Sequence, residues 1–194
     1  MDGDAVSAVV RRYVGDLRSA LDFIDVDRLA LVVGELVGAL EEGRRILIAG
    51  NGGSSATASH MASDLAAAAM SADRMGSIVV ALADNVARLT AIANDSSYEE
   101  VFATQIEAIG RPSDVLVLLS VSGESPNLIA AAEVARRIGM RTLVLAGREC
   151  ALLTEHTFGV VLGNSDYGLS EDLQLAVVHM TVRALRGRHV FRSS

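Results

Sequence analysis

The stretch Val115-Leu116-Val117-Leu118-Leu119-Ser120-Val121-Ser122-Gly123-Glu124-Ser125-Pro126-Asn127 decides the fold. Its first five residues are an unbroken apolar run of the length of one buried strand. A helical pattern opens near Asn127, and Pro126 suits the first helical turn, where a missing N–H costs nothing. Between strand and helix stand three hydroxyls and a glycine. Such a loop aims Oγ and backbone N–H donors at the start of a helix, where the dipole favours an anion. It reads as a phosphate cradle.

A second unit of this kind lies upstream, where Arg45-Ile46-Leu47-Ile48-Ala49 runs into Gly50-Asn51-Gly52-Gly53-Ser54-Ser55 and a helical pattern begins at Ala56. A glycine after a strand is often only a tight turn, but two strand, polar loop and helix units point to one anion site. Further apolar runs at 78–82, 142–145 and 158–162 alternate with helical patterns, among them 86–94, 98–110 and 170–186. This alternation predicts an α/β fold, a three-layer αβα sandwich around a central five-stranded parallel sheet. Ahead of it, two helical pieces within residues 5–42, broken near Asp25-Val26-Asp27, predict an N-terminal helical hairpin over 1–43, before a core over 44–186. In open parallel sheets, ligands bind beyond the carboxyl ends of the strands where the strand order reverses. Both loops occupy such ends and can converge.

The 194 residues fit a single domain. Hydrophobic residues make up 51% of the chain, yet no run approaches the roughly 20 needed to cross a bilayer, so no membrane partner is expected. The surplus points to contact between subunits through the hairpin, in a homo-oligomer. The acidic start Met1-Asp2-Gly3-Asp4 lacks the features of a secretion signal, which predicts a cytoplasmic protein. The single cysteine, Cys150, reads as an inert thiol. A net charge of −7 argues against nucleic-acid binding, which draws on clustered cations. All 17 basic residues are arginine, which excludes Schiff-base chemistry and a lysine-bearing P-loop.

His60 and Asp64 are four apart on the helix that follows the glycine loop, so they share one face at a spacing that suits two ligands of one ion. Such a pair is more often simply solvated, and His179, inside Leu175-Ala176-Val177-Val178-His179-Met180, is by default a core histidine. His156 and His189 read as surface residues.

Gly50 to Ser55, His60-Met61-Ala62-Ser63-Asp64-Leu65, Leu89-Thr90-Ala91-Ile92-Ala93-Asn94-Asp95 and Ser120 to Ser125 together resemble the sugar isomerase (SIS) domain family, and within it the phosphoheptose isomerase branch. The resemblance runs from Leu29 to Leu185. It implies that Asn51, Gly52, Gly53, Ser54, Asn94, Asp95, Ser120, Ser122, Ser125 and Glu171 line a sugar-phosphate site, with the last three serines around the phosphate. It implies zinc held by His60, Asp64, Glu171 and His179, with Asp64 and His179 as the catalytic pair. The implied reaction converts sedoheptulose 7-phosphate to an aldose heptose 7-phosphate, in a tetramer with sites between subunits. Such a conversion needs a base, an acid and stabilisation of an enediolate.

The chain departs from that branch at four places. Asp64 replaces a Glu, Glu171 a Gln and Val121 a Thr, and an Arg one turn beyond the carboxylate is missing in Leu65-Ala66-Ala67-Ala68-Ala69. On one continuous helix, Glu171 and His179 lie about 12 Å apart along the axis, so sharing an ion requires both to lean inward, unless Glu171 sits at a frayed helix start or serves another subunit's site. These departures motivate the alternative of a non-catalytic SIS module that senses a phosphosugar or organises a partner.

Overall fold

The computed structural model describes residues 3–71 and 77–192, with side chains up to residue 187. The expectation for His189 lies outside the described side chains. Five strands, β1 (Ile46–Gly50), β2 (Val79–Ala81), β3 (Val115–Ser120), β4 (Arg141–Ala146) and β5 (Thr157–Val161), form one parallel sheet in the order β2-β1-β3-β4-β5. Among the described residues, seven α-helices accompany them: α1 (Gly3–Asp22), α2 (Val26–Glu41), α3 (Gly53–Ser71), α4 (Val86–Asp95), α5 (Ala103–Ile109), α6 (Pro126–Ile138) and α7 (Tyr167–Arg192).

Burial on both faces explains the unbroken apolar strands. Ile46, Ile48, Val117, Leu119, Leu143 and Leu145 pack with residues of α2, α3 and α7. Their sequence neighbours Leu47, Ala49, Leu116, Leu118, Val144 and Ala146 point the other way, toward α5 and α6. The result is the expected three-layer sandwich.

Chain order moves from β1 outward to β2 and then back across β1 to β3, so the order reverses between β1 and β3. The carboxyl ends of these two strands carry the two polar loops. The sheet therefore delivers both loops to its switch point.

Several boundaries differ from the sequence reading, each for a local reason. The helix expected over 98–110 is split into a 3₁₀ turn, Tyr98–Glu100, and α5, with Val101 and Phe102 buried in the core between them. The last helix starts at Tyr167, where the Asp166 carboxylate accepts from Leu169 N at 2.9 Å. The helix after the first loop starts at Gly53, so the loop's own serines form its first turn.

In the hairpin, Asp25 caps α2 by accepting from Arg28 N. Helix α2 packs into the core, whereas α1 buries only Ala20 and leaves Val6, Val9, Val10 and Val14 exposed. One anchor for α1 is Tyr13, whose hydroxyl donates to Asp172 Oδ2 at 2.7 Å. No helix among the described residues is long and apolar enough to cross a membrane.

Candidate active site

The two loops enclose a cavity of about 280 Å³ at the carboxyl ends of β1 and β3. Asn51, Gly52, Gly53 and Ser54 line one side, Ser120, Val121, Ser122 and Ser125 the other, and Tyr167 and Glu171 of α7 complete it. Ser120 Oγ accepts from Gly123 N at 2.9 Å, and Ser122 Oγ accepts from Glu124 N at 3.3 Å. Each hydroxyl has therefore spent a lone pair on shaping the loop and keeps its own proton for a ligand. Ser125 holds the N-cap position of α6 without spending its side chain on the cap. Ser125 and Leu128 bring the start of α6 to the cavity wall, where its dipole favours an anion.

Gly123 has φ +68°, and a Cβ there would collide with Cys150. Only glycine allows the loop this close to that side chain. Glu124, an odd residue for a phosphate loop, is exposed and paired with Arg148 at 2.9 Å instead of lining the cavity. Arg148 Nε also donates to Ser122 O at 3.2 Å, tying the outside of the loop.

Helix α3 begins at the cavity, and Gly53 receives the Glu171 carboxylate so closely that a Cβ would clash with both oxygens. An acid at a helix N-terminus gains from the dipole. Ser54 lines the cavity, but its hydroxyl donates to Gln174 Oε1 at 3.4 Å, which leaves its backbone as the part free to meet a ligand. Asn94 and Asp95 sit exposed at the end of α4, bonded to each other at 2.9 Å, and the structure does not bring them to the cavity wall.

Two residues that the sequence reading did not single out hold the first loop. Asn51 exchanges two hydrogen bonds with Asn127 of α6 and accepts a third from Tyr98. Their signal in the sequence was faint: Asn127 follows the cradle directly, and Tyr98 stands three residues beyond Asp95.

Farther along the packed pair α3 and α7, one ligand atom each from His60, Asp64 and His179 lie within 4.8 Å of one another. His60 Nε2 stands 3.3 Å from Asp64 Oδ2, and the two imidazoles meet edge to face at 5.7 Å. His179 is not a core histidine: Val177 and Val178 take the buried positions, and the imidazole is turned outward to the trio. Glu171 is absent from this cluster and belongs to the cavity wall. Gly53, His60 and Asp64 lie on one face of α3, with His60 about 10 Å along the axis from Gly53. Two imidazoles and a carboxylate, turned toward solvent, form a donor set suited to a divalent ion with one position left open.

A larger cavity, about 440 Å³, between α6 and the segment before β5, contains His156 but none of the candidate residues. His156 is exposed, as expected.

This fold, with a hydroxyl-lined cavity at its switch point, defines a class. Residues 12–147 match the model of the SIS domain, and the chain belongs to that family. Within it, phosphoheptose isomerases are among the relatives. The enzyme of Helicobacter pylori (strain P12) is 38% identical over 146 residues, covering 75% of this chain and 76% of that one. The enzyme of Chlorobaculum parvum is 34% identical over 175 residues, covering 88% and 83% respectively. The solved structure of the phosphoheptose isomerase from Neisseria gonorrhoeae superposes with a TM-score of 0.81 at 27% identity, covering 95% of this chain and 98% of that one. With these relatives, the chain is an isomerase.

Proposed function

We propose that the chain interconverts aldose and ketose sugar phosphates, with sedoheptulose 7-phosphate as its ketose and Asp64 and His179 as the proton carriers. One observation carries the reading. A carboxylate and an imidazole converge on the same helix pair whose start forms the anion cavity. The separation of about 10 Å from Gly53 to His60 along α3 is of the order of an extended seven-carbon chain together with its phosphate.

The phosphate binds the hydroxyls of Ser120, Ser122 and Ser125 at the start of α6, which fixes the far end of the sugar. The reacting carbons then lie beside the trio. Asp64 removes the proton from the carbon next to the carbonyl and returns it to the neighbouring carbon, while His179 moves a proton between the two oxygens. No atom is gained or lost. The donor set of His60, Asp64 and His179 fits zinc, and bound zinc would polarise the substrate carbonyl. A carboxylate that would hold an ion through one oxygen keeps a second oxygen to act as a base.

The second reading, a phosphosugar-sensing or partner-organising module, draws on the Glu171 carboxylate beside the anion cavity and on the short Asp64. A displacement of the base by about 1 Å can cost on the order of 100-fold. For assembly, the exposed valine face of α1 supports a second copy as its cover, in a tetramer. Incubation with sedoheptulose 7-phosphate, followed by NMR with zinc and then with chelator, tests the reading: product forms with zinc, whereas binding without turnover supports the module.

A further inference from the structure

Asn51 is the one carboxamide on the cavity wall, and its hydrogen bonds leave it a defined remainder. Asn51 Oδ1 accepts from Asn127 Nδ2 at 2.9 Å and from Tyr98 Oη at 3.0 Å. Asn51 Nδ2 donates to Asn127 Oδ1 at 3.0 Å. Both lone pairs of the oxygen and one of the two N–H groups are spent. One N–H remains, on a residue that lines the cavity.

The Asn51 and Asn127 pair by itself does not choose this orientation. If both amides turned over together, the two bonds between them would re-form, and the nitrogen of Asn51 would face Tyr98. In that state Asn51 would spend both protons and present a lone pair to the cavity. Tyr98 decides between the two, because a phenol is a better donor than acceptor and so prefers the oxygen of Asn51. Asn127 is 2% exposed and anchored at the start of α6, so the pair also sets the distance between the first loop and the phosphate cradle.

We propose that Tyr98 and Asn127 are positioning residues that fix the Asn51 carboxamide with a single N–H offered to an oxygen of the sugar chain. Tyr98 thereby sets the sign of recognition: the cavity wall donates at this point and selects a hydroxyl or carbonyl acceptor. The sugar half of this inference rests on the sugar-phosphate reading above.

Tyr98→Phe and Asn127→Asp test it, with two readouts. In the ligand-free protein, the side-chain amide of Asn51 gives one sharp pair of NMR signals in the wild type, and a second or broadened set in Tyr98→Phe. By calorimetry, Tyr98→Phe binds sedoheptulose 7-phosphate about 5-fold more weakly and Asn127→Asp at least about 10-fold more weakly, the size of one or two lost hydrogen bonds. Inorganic phosphate, which meets only the cradle, binds Tyr98→Phe as it binds the wild type, whereas Asn127→Asp adds a charge at the start of α6 and binds it more weakly. An Asn51 amide that averages in the wild type, or sugar phosphate and phosphate affinities that fall together in Tyr98→Phe, overturns the inference. Unchanged sugar-phosphate affinity in both variants overturns it too. A locked amide and weakened binding without turnover would support it while rejecting the isomerase reading, so the two failures are distinguishable.

Discussion

Glu171 of α7 presses its carboxylate against Gly53, the first residue of α3, and by doing so stands on the wall of the hydroxyl-lined cavity between the two loops. The acid steadies the start of α3 and opposes the phosphate. Replacing Glu171 with Gln keeps the shape and removes the charge. Inorganic phosphate should then bind about 5-fold more tightly, from the loss of one like-charge repulsion, measured by calorimetry. Gly53→Ala tests the contact itself, since the added methyl displaces either Glu171 or α3. It should cost about 1–3 kcal/mol in denaturant unfolding.

His179 is exposed, so its removal opens no cavity in the core. His179→Ala should leave stability within about 0.5 kcal/mol of wild type, while kcat falls by about 10²- to 10⁴-fold, as for the loss of a proton carrier. Steady-state kinetics beside thermal unfolding separates the two quantities. Wild-type turnover would remove His179 from the mechanism.

The architecture was readable because each of its causes is local. Apolar runs at 115–119 and 46–49 carry strand length, the loops after them carry helix-start chemistry, and the alternation carries the parallel sheet. Strand order was not readable, since nothing local in β1 states which neighbour it takes. The site was readable in its motifs and not in its partnerships. Ser54 has the residue type of a ligand but gives its hydroxyl to Gln174 across a gap of 120 positions. Asn94 and Asp95 match the resemblance in sequence yet stay on the surface of α4. His179 looked like core because its neighbours are apolar, and only the packing of α7 on α3 turns it to His60. Glu171 could not reach that cluster: eight residues along α7 carry it about 12 Å away, to the cavity.

Zinc binding is tested directly on the donor set. The wild type should retain about one zinc per chain after dialysis, the capacity of one three-residue site. His60→Ala should reduce retention sharply, as counted by elemental analysis, and the metal-free wild type should remain folded because the sheet core does not depend on the trio. Equal zinc content in His60→Ala would reject this ligand set.

Tyr13 ties α1 to α7, and its hydrogen bond to the Asp172 carboxylate, with burial and the nearby acids of α7 behind it, pushes the phenol from 10.0 up to about 12. The protonated phenol is the form that donates. Its contribution is therefore complete below pH 10.0 and fades as pH rises through about 12. Ultraviolet titration of the folded protein should show one late-ionising tyrosine, missing in Tyr13→Phe. A Tyr13→Phe curve with the late step intact would contradict the assignment.

The valine face of α1 has little of its own chain to pack against. A Val10→Glu, Val14→Glu variant should shift light-scattering mass toward that of a monomer, while the wild type remains an oligomer at micromolar concentration. A monomeric wild type would refute the proposed cover.

The most direct measurement of the central claim follows C6 to C8 ketose phosphates by NMR in the presence of zinc, with the Asp64→Asn and His179→Ala variants alongside. The account predicts that the wild type converts sedoheptulose 7-phosphate to an aldose phosphate and that both variants are silent. Conversion at equal rates in all three proteins, or none in the zinc-loaded wild type with any of these sugars, would contradict it.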